Sequence, residues 1–587
     1  MRIFIILGIF IVNIHSLPAQ KLVPADFSFR TLIADSTDSL TSSNNMRSNI
    51  VTEIILATDS TVWLGTGLGV SVIRDSLTVE TLPSSTELKE GFQDTLLPQG
   101  GISAMAASVQ GREMLIAVAG SENDIPVGKG IAYTVNATDS LVWEYFNQPV
   151  DGQAANPPYD SAKWSGEDGV LYFAALPITV TQANVTYDIA FSDKFAWIAS
   201  WAGGLRRYRY KFSDDDWQPV PLPMDDQFEL ITCGAFDSNG DSTYVEVINR
   251  SKITVSPYKM YVLRDYYLNP RDPIDGGNHN HKAFSVLVYS DTIWVGTANG
   301  INRGIIDASA DDCIDWEHYS YPTHGLSGNF VVGLALQMHK GKRIIWAATV
   351  NADDPTEQRG VSYTTNDGLS WNTALLGERV YNITAHDSLV FAATANGLWK
   401  TEDGINWARY KPAQQHIHYS ADEEIPYSTD EVLANEVYSV AFDSRPYYGN
   451  SSIWIGTGDG VAHSYDLDGQ NWKIYRAEYD QDEDYAYPNP FSPYIHNVIG
   501  GDGYVRFHTN EWSGTPVIDL DVYNFAMEKV FTGSFNRRDP SSGALKWNGR
   551  DMDGRLVNNG VYFVKLNYPK NQTSKPSPHW VKLIVVK

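Results

Sequence analysis

The stretch Trp63-Leu64-Gly65-Thr66-Gly67-Leu68-Gly69-Val70 decides the fold, because variants of it return along most of the chain. Each copy starts with an aromatic residue and continues with small and apolar residues, and most copies end in a glycine turn. The other copies begin at Trp197, Trp294, Trp346, Phe391 and Trp454. An apolar stretch ending near an Asp precedes most copies, and an aromatic-ended stretch follows several. The repeated unit therefore predicts four short strands joined by turns.

Repeats of about 45 to 60 residues with four strands and a Trp are typical of β-propeller blades. Two weaker copies fill the gaps, one from Ile102 to Trp143 and one from Leu230 to Leu263. The sequence predicts an all-β chain with an eight-bladed propeller over residues 45–478. Seven blades is the alternative, if one weak copy is an insertion. Within the N-terminal segment 20–44, the stretch 27–32 is a candidate closing strand.

Composition limits the possible functions. The chain has 587 residues, with 44 Lys and Arg against 70 Asp and Glu, so the net charge is −26. No basic stripe offsets this excess, so nucleic acid is excluded as an expected partner. A hydrophobic content of 43% is too high for a mainly disordered chain. Two cysteines, Cys233 and Cys313, exclude a disulfide-built scaffold and a Cys-rich zinc site, and leave pairing or free thiols open.

The N-terminus predicts export. Met1-Arg2 precedes an apolar run of about ten residues, and Leu17-Pro18-Ala19-Gln20 follows it. This pattern indicates a signal peptide over residues 1–19, with an uncleaved anchor as the alternative. The run is shorter than the roughly 20 residues that span a bilayer, and no other candidate span is present. We expect a mature protein without a transmembrane segment, secreted from a bacterium or held at its outer-membrane surface.

The repeats resemble the propeller repeats of bacterial two-component regulators and related extracellular proteins. Three turns also resemble degenerate Asp-box turns of sialidase-like propellers. Their residues are Asp367, Gly368, Trp371, Asp403, Gly404, Trp407, Asp468, Gly469 and Trp472. In that family the box is a structural turn, which implies that Asp binds backbone N–H groups, Gly adopts positive φ and Trp packs between blades.

A separate domain is predicted at the C-terminus, over residues 487–587 after an acidic linker at 479–486. Apolar residues alternate with polar ones between glycine turns, which predicts a small antiparallel β-sandwich of about 100 residues. Its motifs comprise Tyr487, Pro488, Asn489, Pro490, Phe491, Trp547, Gly549, Asp551, Gly554, Gly560, Val561 and Tyr562.

The order of these motifs resembles the C-terminal sorting domain of type IX secretion cargo and the related immunoglobulin-like domain of the flagellar-hook-capping type. The resemblance covers roughly residues 485–587. It implies passage across the outer membrane, with the secretion machinery as partner and release or attachment at the cell surface. The alternative is a spacer domain without a sorting role.

The sequence predicts no catalytic residue. It lacks a Gly-x-Ser-x-Gly, His-Glu-x-x-His, phosphate-loop or dinucleotide motif in a suitable context, and Phe29-Arg30 is not followed by the Ile-Pro of sialidases. The leading hypothesis is a non-enzymatic propeller that presents loops to an extracellular protein or carbohydrate. The alternative is a glycoside hydrolase or lyase acting on an extracellular polysaccharide. Two carboxyl groups beside an aromatic platform would favour the hydrolase.

No cofactor is expected apart from a possible calcium ion. Asp237, Asn239 and Asp241 alternate in the way that suits oxygen ligation of Ca²⁺, but a plain β-turn is the favoured interpretation. The linker carboxylates Asp480, Asp482 and Asp484 form a second candidate, against a simply solvated acidic run. Two histidine pairs, in the loop 278–281 and at 416 and 418, are interpreted as surface residues rather than ligands.

Overall fold

The computed structural model describes residues 46–587 with gaps at 58, 75–78, 109–110, 124, 138–140, 153–160, 167–168, 211–215, 235, 248–259, 311, 353, 411–412, 418–427, 433–435, 449–450, 477–483, 488, 495–502, 509–516, 537–544 and 568–578. The predicted all-β class is confirmed. Among the described residues, helix is confined to 3-10 turns at Pro273–Asp275, His279–His281 and Pro446–Tyr448.

The repeats fold into antiparallel sheets in which successive strands are hydrogen-bonded neighbours, and we number these blades 1 to 7 from the N-terminus. Blade 1 consists of Val51–Leu56, Val62–Thr66, Gly69–Ile73 and Val79–Thr81. Blade 2 consists of Gly101–Ala107, Met114–Glu122, Ile125–Thr134 and Trp143–Phe146, with Gln93–Asp94 at its outer edge. Blade 3 consists of Thr186–Phe191, Ala196–Ser200, Gly204–Tyr208 and Gln218–Pro219.

The second half of the ring repeats the same order of strands. Blade 4 consists of Ala283–Tyr289, Thr292–Thr297, Gly300–Asp307 and Cys313–Tyr319, with Glu229–Leu230 at its outer edge. Blade 5 consists of Phe330–His339, Lys342–Val350, Gly360–Thr364 and Asn372–Ala374. Blade 6 consists of Val380–His386, Leu389–Thr394, Gly397–Thr401 and Ala408–Arg409. Blade 7 consists of Val437–Asp443, Ser452–Thr457, Gly460–Ser464 and Trp472–Tyr475.

The first strand of each blade is the inner strand, and the seven inner strands contact one another in cyclic order. The inner strand of blade 7 contacts that of blade 1, so the ring is closed. At this seam the Gly460 N–H donates to the Asn49 carbonyl at 2.6 Å, and the Ser439 hydroxyl donates to the Val51 carbonyl at 3.4 Å. The expected closing strand at 27–32 lies outside the described residues.

The described residues form a ring of seven blades, which is the alternative given above and corrects the expectation of eight. The weak copy from Leu230 to Leu263 does not form a blade of the ring. Its strands Tyr244–Val247 and Met260–Leu268 instead join Ser161–Gly166 and Gly169–Ala175 in one mixed sheet, which we call the outer sheet. The central pair of the outer sheet, Gly169–Ala175 with Met260–Leu268, is parallel. The two halves of this sheet come from the connections on either side of blade 3. The alternation of apolar and polar residues in each half resembles that of a blade, but the strands pair with the other half instead of with their neighbours in a blade.

The outer sheet packs against blades 3 and 4. Trp164 and Phe173 of the outer sheet share a buried core with Trp197 of blade 3 and Trp316 of blade 4. The connection that carries the outer sheet is also tied covalently to blade 4, because Cys233 and Cys313 form a disulfide. This pairing resolves the alternative that the sequence left open.

Tryptophans fill the spaces between neighbouring blades. Trp143 of blade 2 packs edge-on against Trp63 of blade 1, with ring centroids 6.2 Å apart. The same arrangement joins Trp371 of blade 5 to Trp294 of blade 4 at 6.0 Å. Edge-to-face aromatic pairs add about 0.5–1.5 kcal/mol beyond the burial of their area, so they stabilise the ring at these two junctions.

The C-terminal region forms two antiparallel sheets around one core. One sheet contains Tyr485–Tyr487, Val505–His508 and Lys546–Trp547, and the other contains Lys529–Asn536, Val517–Tyr523, Gly560–Asn567 and His579–Val585. Alternate residues of both sheets, including Phe507, Val522, Trp547 and Leu583, are buried together. The expected period-two pattern thus corresponds to a two-layer sandwich.

Candidate binding site in the central channel

Every inner strand carries a β-bulge at an equivalent position near its start. In each blade the pairing with the second strand skips one residue, and the skipped residues are Thr52, Ser103, Tyr187, Phe284, Val332, Tyr381 and Tyr438. A bulge inserts one residue that opposes no partner and redirects its side chain. All seven skipped residues line one cavity on the axis of the ring.

The cavity lies toward the end of the channel at which the inner strands begin. In a four-stranded meander, the fourth strand ends at the side from which the first strand starts, so the connections between blades arrive at this same end. We call it the channel-mouth face. The longest connections, 147–185 and 220–282, flank blade 3. The mouth therefore adjoins the loops that vary most between blades.

The cavity has a volume of about 200 Å³ and mixes polar and apolar walls. Besides the seven bulge residues, it is lined by Glu53, Ile102, Asp188, Val286, Gly333, Leu334 and Asn382. Small-ligand sites commonly combine an apolar lining with a few polar groups that fix orientation. The lining fits this description, with four aromatic rings and two carboxyl groups.

The two carboxyl groups have raised pKa values. Burial, and secondly the charge of Asp188, raise the pKa of Glu53 well above its usual value. Burial raises the pKa of Asp188 to about 7, although backbone N–H groups of Val286 and Ile189 donate to it and act in the opposite direction. Carboxyl groups with perturbed pKa values in a cavity are a common mark of functional sites.

The residue after each bulge often binds the next blade. The Val286 N–H of blade 4 donates to Asp188 Oδ2 of blade 3 at 2.8 Å. The Ser285 hydroxyl of blade 4 donates to the Val331 carbonyl of blade 5 at 3.0 Å. Asp188 therefore has a structural role between blades as well as a place in the cavity wall. The Glu53 carboxyl has no hydrogen-bond partner within the described part of the chain.

Aromatic rings surround the mouth of the cavity. Tyr381 and Tyr438 lie with centroids 5.4 Å apart, and Tyr187 and Phe284 lie 6.0 Å apart. The Arg379 guanidinium lies over the Tyr381 ring at 5.2 Å. The rim of the cavity thus already contains a contact between a cation and an aromatic ring.

Sequence reasoning missed Glu53, Asp188 and the ring of bulge residues. A signal for them exists in the repeat, because Tyr187, Phe284 and Tyr381 each precede the aromatic residue of their repeated phrase by ten positions. In the other blades the hairpin between the first and second strands has a different length. Aligning the repeats on their aromatic residue therefore does not align the bulge residues of those blades. Only the three-dimensional ring brings these positions together.

The three Asp-box-like turns lie between the third and fourth strands of blades 5, 6 and 7, at the end of each blade opposite the channel-mouth face. In blade 6, Asp403 Oδ1 accepts the N–H groups of Ile405 and Asn406 at 2.8 and 2.7 Å. These hydrogen bonds, the Asn406 N–H first, hold the pKa of Asp403 well below its usual value. Asp403 thus makes the bonds that the resemblance implies.

In the other two turns a neighbouring residue makes those bonds. In blade 5, Asn366 Oδ1 accepts the Ser370 N–H at 3.0 Å, whereas Asp367 adopts φ +57° and pairs with Arg343. In blade 7, Asp466 Oδ1 accepts the N–H groups of Asp468 and Gln470, both at 3.0 Å. The bonding role expected of Asp367 and Asp468 therefore falls on Asn366 and Asp466.

The glycines of these turns approach the preceding blade. Gly368, Gly404 and Gly469 have φ values of +97°, +75° and +66°. A Cβ atom on Gly368 would lie 2.4 Å from the Tyr319 ring of blade 4, and one on Gly404 would lie 2.9 Å from the Trp346 ring of blade 5. The glycine is therefore required by both the backbone conformation and the aromatic neighbour. Trp371, Trp407 and Trp472 are each packed in hydrophobic clusters that include residues of the preceding blade.

The C-terminal motifs meet around the last strand. The Asn489 side chain donates to the Lys582 carbonyl and accepts the Ile584 N–H, both at 2.9 Å. The buried Phe491 exchanges backbone hydrogen bonds with Ile584 and Val586. Pro490 follows Asn489 through a cis peptide bond. This segment therefore holds the final strand in place, while Pro488 and the Tyr487 side chain lie outside the described residues.

The remaining motif residues form the turn between Lys546–Trp547 and Gly560–Asn567. Trp547 Nε1 donates to the Arg550 carbonyl at 2.8 Å, and Asp551 Oδ1 accepts the N–H groups of Asp553 and Arg555. The Tyr562 hydroxyl donates to the Asn558 carbonyl at 2.7 Å. Gly549 and Gly554 within the turn have positive φ values, as does Gly560, which begins the strand that follows and precedes Val561.

The calcium candidates have partners within the chain. Asp237 Oδ1 accepts the N–H groups of Asn239 and Asp241, both at 2.9 Å, and so closes its own turn. Asp484 pairs with His579 of the last strand, whereas Asp480 and Asp482 lie outside the described residues. Across the described residues, no group of three or more His, Cys, Asp or Glu is placed to hold a metal ion.

The histidine loop is not a solvated surface loop. His281 is fully buried, its Nδ1 accepts the Asn269 N–H at 2.9 Å, and its Nε2 lies 3.0 Å from the Leu222 carbonyl. Burial lowers the pKa of His281 to about 4, so the ring is neutral. The Asp225 carboxylate accepts the N–H groups of His279 and Asn280 and fixes the loop. For the pair at 416 and 418, His418 and the His416 side chain lie outside the described residues.

Comparisons with known proteins give structural similarity only. No model of a protein family matches the chain, and no curated protein matches it. The chain is similar to the crystal structure of an ancestral GH74 enzyme, with 12% identity over 92% of this chain and 63% of that one and a TM-score of 0.42. It therefore spans less than two thirds of that enzyme.

Two further solved structures come from bacterial surfaces. The extracellular domain of a hybrid two-component system from B. thetaiotaomicron matches at 11% identity, over 93% of this chain and 81% of that one, with a TM-score of 0.24. PorZ, an essential bacterial surface component of the type-IX secretion system of Porphyromonas gingivalis, matches at 13% identity, over 92% and 87%, with a TM-score of 0.20. Because these TM-scores are low, the assignment of a β-propeller fold rests on the strand order of this chain.

The described residues contain helix only as short 3-10 turns. Among them, no helix has the length and apolar character needed to cross a bilayer.

Proposed function

We propose that this chain is a secreted or cell-surface bacterial β-propeller protein that binds an extracellular protein or carbohydrate at its channel-mouth face. The observation that carries the proposal is the cavity to which each of seven blades contributes one bulged residue. A repeated departure from regular pairing costs backbone hydrogen bonds, so its presence in every blade favours a role for the residues it releases. The aromatic rings and carboxyl groups of the lining suit recognition of a polar partner.

Three features support export. The N-terminal pattern predicts a signal peptide, and the C-terminal motifs resemble a type IX sorting domain. The Cys233–Cys313 disulfide is independent of both, and such bonds persist mainly in oxidising compartments outside the cytoplasm.

The binding role is tested by capture of extracellular partners on the intact protein. The variants Tyr381→Ala and Tyr438→Ala remove rings at the cavity. Tyr447→Ala is the matched control, because Tyr447 is exposed and lies on the hairpin between the first and second strands of blade 7, at the opposite end of the ring. We expect binding of glycans on an array, or of proteins from the cell surface, to fall in the first two variants only. Equal binding by all three would place the contact elsewhere.

The export role is tested by deleting residues 485–587 in the bacterial host. We expect the truncated protein to remain in the periplasm, since the resemblance assigns passage across the outer membrane to this domain. Arg555→Ala, at an exposed side chain of the same domain, is the control and should be exported normally. Normal surface display of the truncated protein would show that the domain is only a spacer.

A second candidate function is hydrolysis of an extracellular polysaccharide. It is favoured by one observation, the presence of Glu53 and Asp188 in the same aromatic cavity, since glycoside hydrolases use paired carboxyl groups with a raised pKa on the acid. Release of reducing sugars from a panel of polysaccharides, abolished in Glu53→Gln, would establish it. Absence of release by the wild-type protein leaves the binding role.

A further inference from the structure

We propose that the channel cavity binds an alkylammonium group, either of a free small amine or of a lysine side chain on an extracellular protein. The inference rests on the proposed function, because it names the chemistry recognised at the same site. It is carried by the combination of two carboxyl groups, four aromatic rings and an apolar wall in one cavity of about 200 Å³.

Within the described lining of the cavity, no cationic side chain stands beside the two carboxyl groups. The described residues that line the cavity include no lysine, arginine or histidine. Asp188 receives backbone N–H groups, whereas Glu53 receives no hydrogen bond from any described residue. A buried carboxylate is unfavourable unless it is paired, and two of them repel each other. A bound cation would relieve both costs. Binding of the cation would therefore favour the ionised form of the two carboxyl groups, and their ionisation would favour binding.

The rest of the lining suits the organic part of such a cation. Tyr187, Phe284, Tyr381 and Tyr438 surround the cavity, and the faces of aromatic rings attract ammonium groups. Ile102, Val286, Val332 and Leu334 provide apolar contacts for a hydrocarbon stem.

Two cations of the protein lie close to these aromatic rings. The Arg379 guanidinium lies 5.2 Å from the Tyr381 ring centroid, and the Lys282 ammonium lies 4.6 Å from that of Trp201. The Trp201 ring in turn packs against Phe284 of the cavity wall, with centroids 5.2 Å apart. Neither Arg379 nor Lys282 lines the cavity itself. Their positive charge favours a ligand that carries a single charge over a polyamine.

A metal ion fits this lining less well. Calcium requires six to eight oxygen ligands, and magnesium an octahedral set. Both oxygens of Asp188 and the Asn382 side-chain oxygen already accept backbone N–H groups. The rings and aliphatic side chains occupy much of the remaining wall. A neutral sugar would fit the aromatic rings, but it would leave the repulsion between the carboxyl groups in place.

The experiment measures ligand binding to the full chain by calorimetry and by the shift in melting temperature. The probes are n-butylammonium, choline and a peptide containing one lysine, with n-butanol, glucose and the acetyl-lysine form of the peptide as neutral controls at constant ionic strength. We expect saturable binding of the charged probes alone. Glu53→Gln should weaken this binding by roughly tenfold or more, since losing one close charge contact is worth at least about 1.4 kcal/mol.

Glu80→Gln is the matched control, because Glu80 is an exposed carboxylate on the outer strand of the same blade, and it should bind as the wild type does. Tyr438→Leu is a second variant that should also lose binding, in case Glu53→Gln alters folding. Tighter binding of the peptide than of the free amines would assign a protein lysine as the natural source, and the reverse would assign a small amine.

Unchanged affinity in folded Glu53→Gln, or equal binding of charged and neutral probes, would overturn the inference. Binding of glucose but of none of the amine probes would also overturn the inference, and it would leave a carbohydrate-binding propeller. Failure of every charged probe, with capture that still falls in Tyr381→Ala and Tyr438→Ala, would overturn the inference alone. Failure of every probe together with equal capture by the wild type and these two variants would overturn the proposed function as well.

Discussion

Arg445 joins the last blade of the ring to the first, and its replacement gives a quantitative test of how the propeller closes. Arg445 lies after the inner strand of blade 7 and forms a bidentate pair with Asp443, at 2.9 Å from Nε to Oδ1 and 2.7 Å from Nη2 to Oδ2. Its Nη1 donates to three carbonyls of blade 1, those of Ala57, Asp59 and Thr61, at 2.7–2.8 Å. One side chain thus satisfies a buried carboxylate and crosses the seam.

The expected cost of Arg445→Met follows from the burial of its partner. The Asp443 side chain has 0% exposure and Arg445 only 13%. Removing one member of a buried ion pair leaves an uncompensated charge and typically costs about 3–5 kcal/mol. We therefore expect the free energy of unfolding to fall by about that amount. Arg343→Met is the matched control, because the Arg343–Asp367 pair is about 40% exposed and such pairs contribute only about 0–1 kcal/mol.

The pH dependence gives an independent check. Burial by itself would raise the pKa of Asp443, but the hydrogen bonds and charge of Arg445 outweigh it and hold that pKa below its usual value. A carboxyl with a depressed folded-state pKa stabilises the protein above its unfolded pKa of about 4, and this contribution is lost as pH falls through the folded value. In Arg445→Met the pKa of Asp443 should rise. The difference between wild type and variant should therefore be largest near neutral pH and narrow in acid.

The assay is urea unfolding followed by tryptophan fluorescence, repeated at several pH values. The double variant Asp443→Asn with Arg445→Met should be more stable than Arg445→Met alone, because it removes the unpaired charge. If Arg445→Met lowers the free energy of unfolding by less than about 1 kcal/mol, as in the Arg343 control, Arg445 does not stabilise the junction of blades 7 and 1 in this way. A decrease that is independent of pH would lead to the same conclusion.

Three further predictions concern other parts of the chain. Gly368→Ala should lose about 1–3 kcal/mol more than Gly377→Ala in urea unfolding, because both positions have φ near +95° but only Gly368 has an aromatic ring where the Cβ would lie. Replacing Cys233 and Cys313 by Ser should cost about 2–4 kcal/mol, and reductant should destabilise the wild type but not this variant. Asn489→Ala should lower the free energy of unfolding by about 1–2 kcal/mol and speed proteolysis of the last strand, because the side chain makes two hydrogen bonds to the backbone of that strand.

The sequence allowed the strands within one blade to be predicted, but not the number of blades in the ring. The phrase beginning at Trp63 marks the second strand and the turn after it, and both occur where expected, because local alternation and glycine conformations determine them. The number of blades depended on the copy from Leu230 to Leu263. That copy alternates like a blade but pairs with strands more than 80 residues earlier, and pairing partners leave no mark in local periodicity.

The candidate site shows the same limit. The segments that resemble Asp boxes form turns between strands, yet whether Asn366 or Asp367 binds the backbone depends on φ and ψ values that the residue types do not determine. Glu53 and Asp188 belong to different blades, so only the closure of the ring brings them to one cavity. Of the C-terminal motifs, Asn489 and Phe491 bind the last strand, whereas the residues from Trp547 to Gly554 form a turn of their own. The sequence marks these residues but not the contacts that they make.

The outer sheet has a consequence for the order in which the chain can fold. Its parallel pair joins Gly169–Ala175 to Met260–Leu268, and all of blade 3 lies between them in sequence. Such a pair closes a long loop, which makes it slow to form compared with the hairpins inside each blade. We expect blade 3 to form first and the outer sheet to assemble around it. The Cys233–Cys313 bond would follow, since its second thiol lies at the start of the fourth strand of blade 4. Trapping of this thiol during refolding would therefore report when the connection 220–282, which carries two strands of the outer sheet, becomes fixed to blade 4.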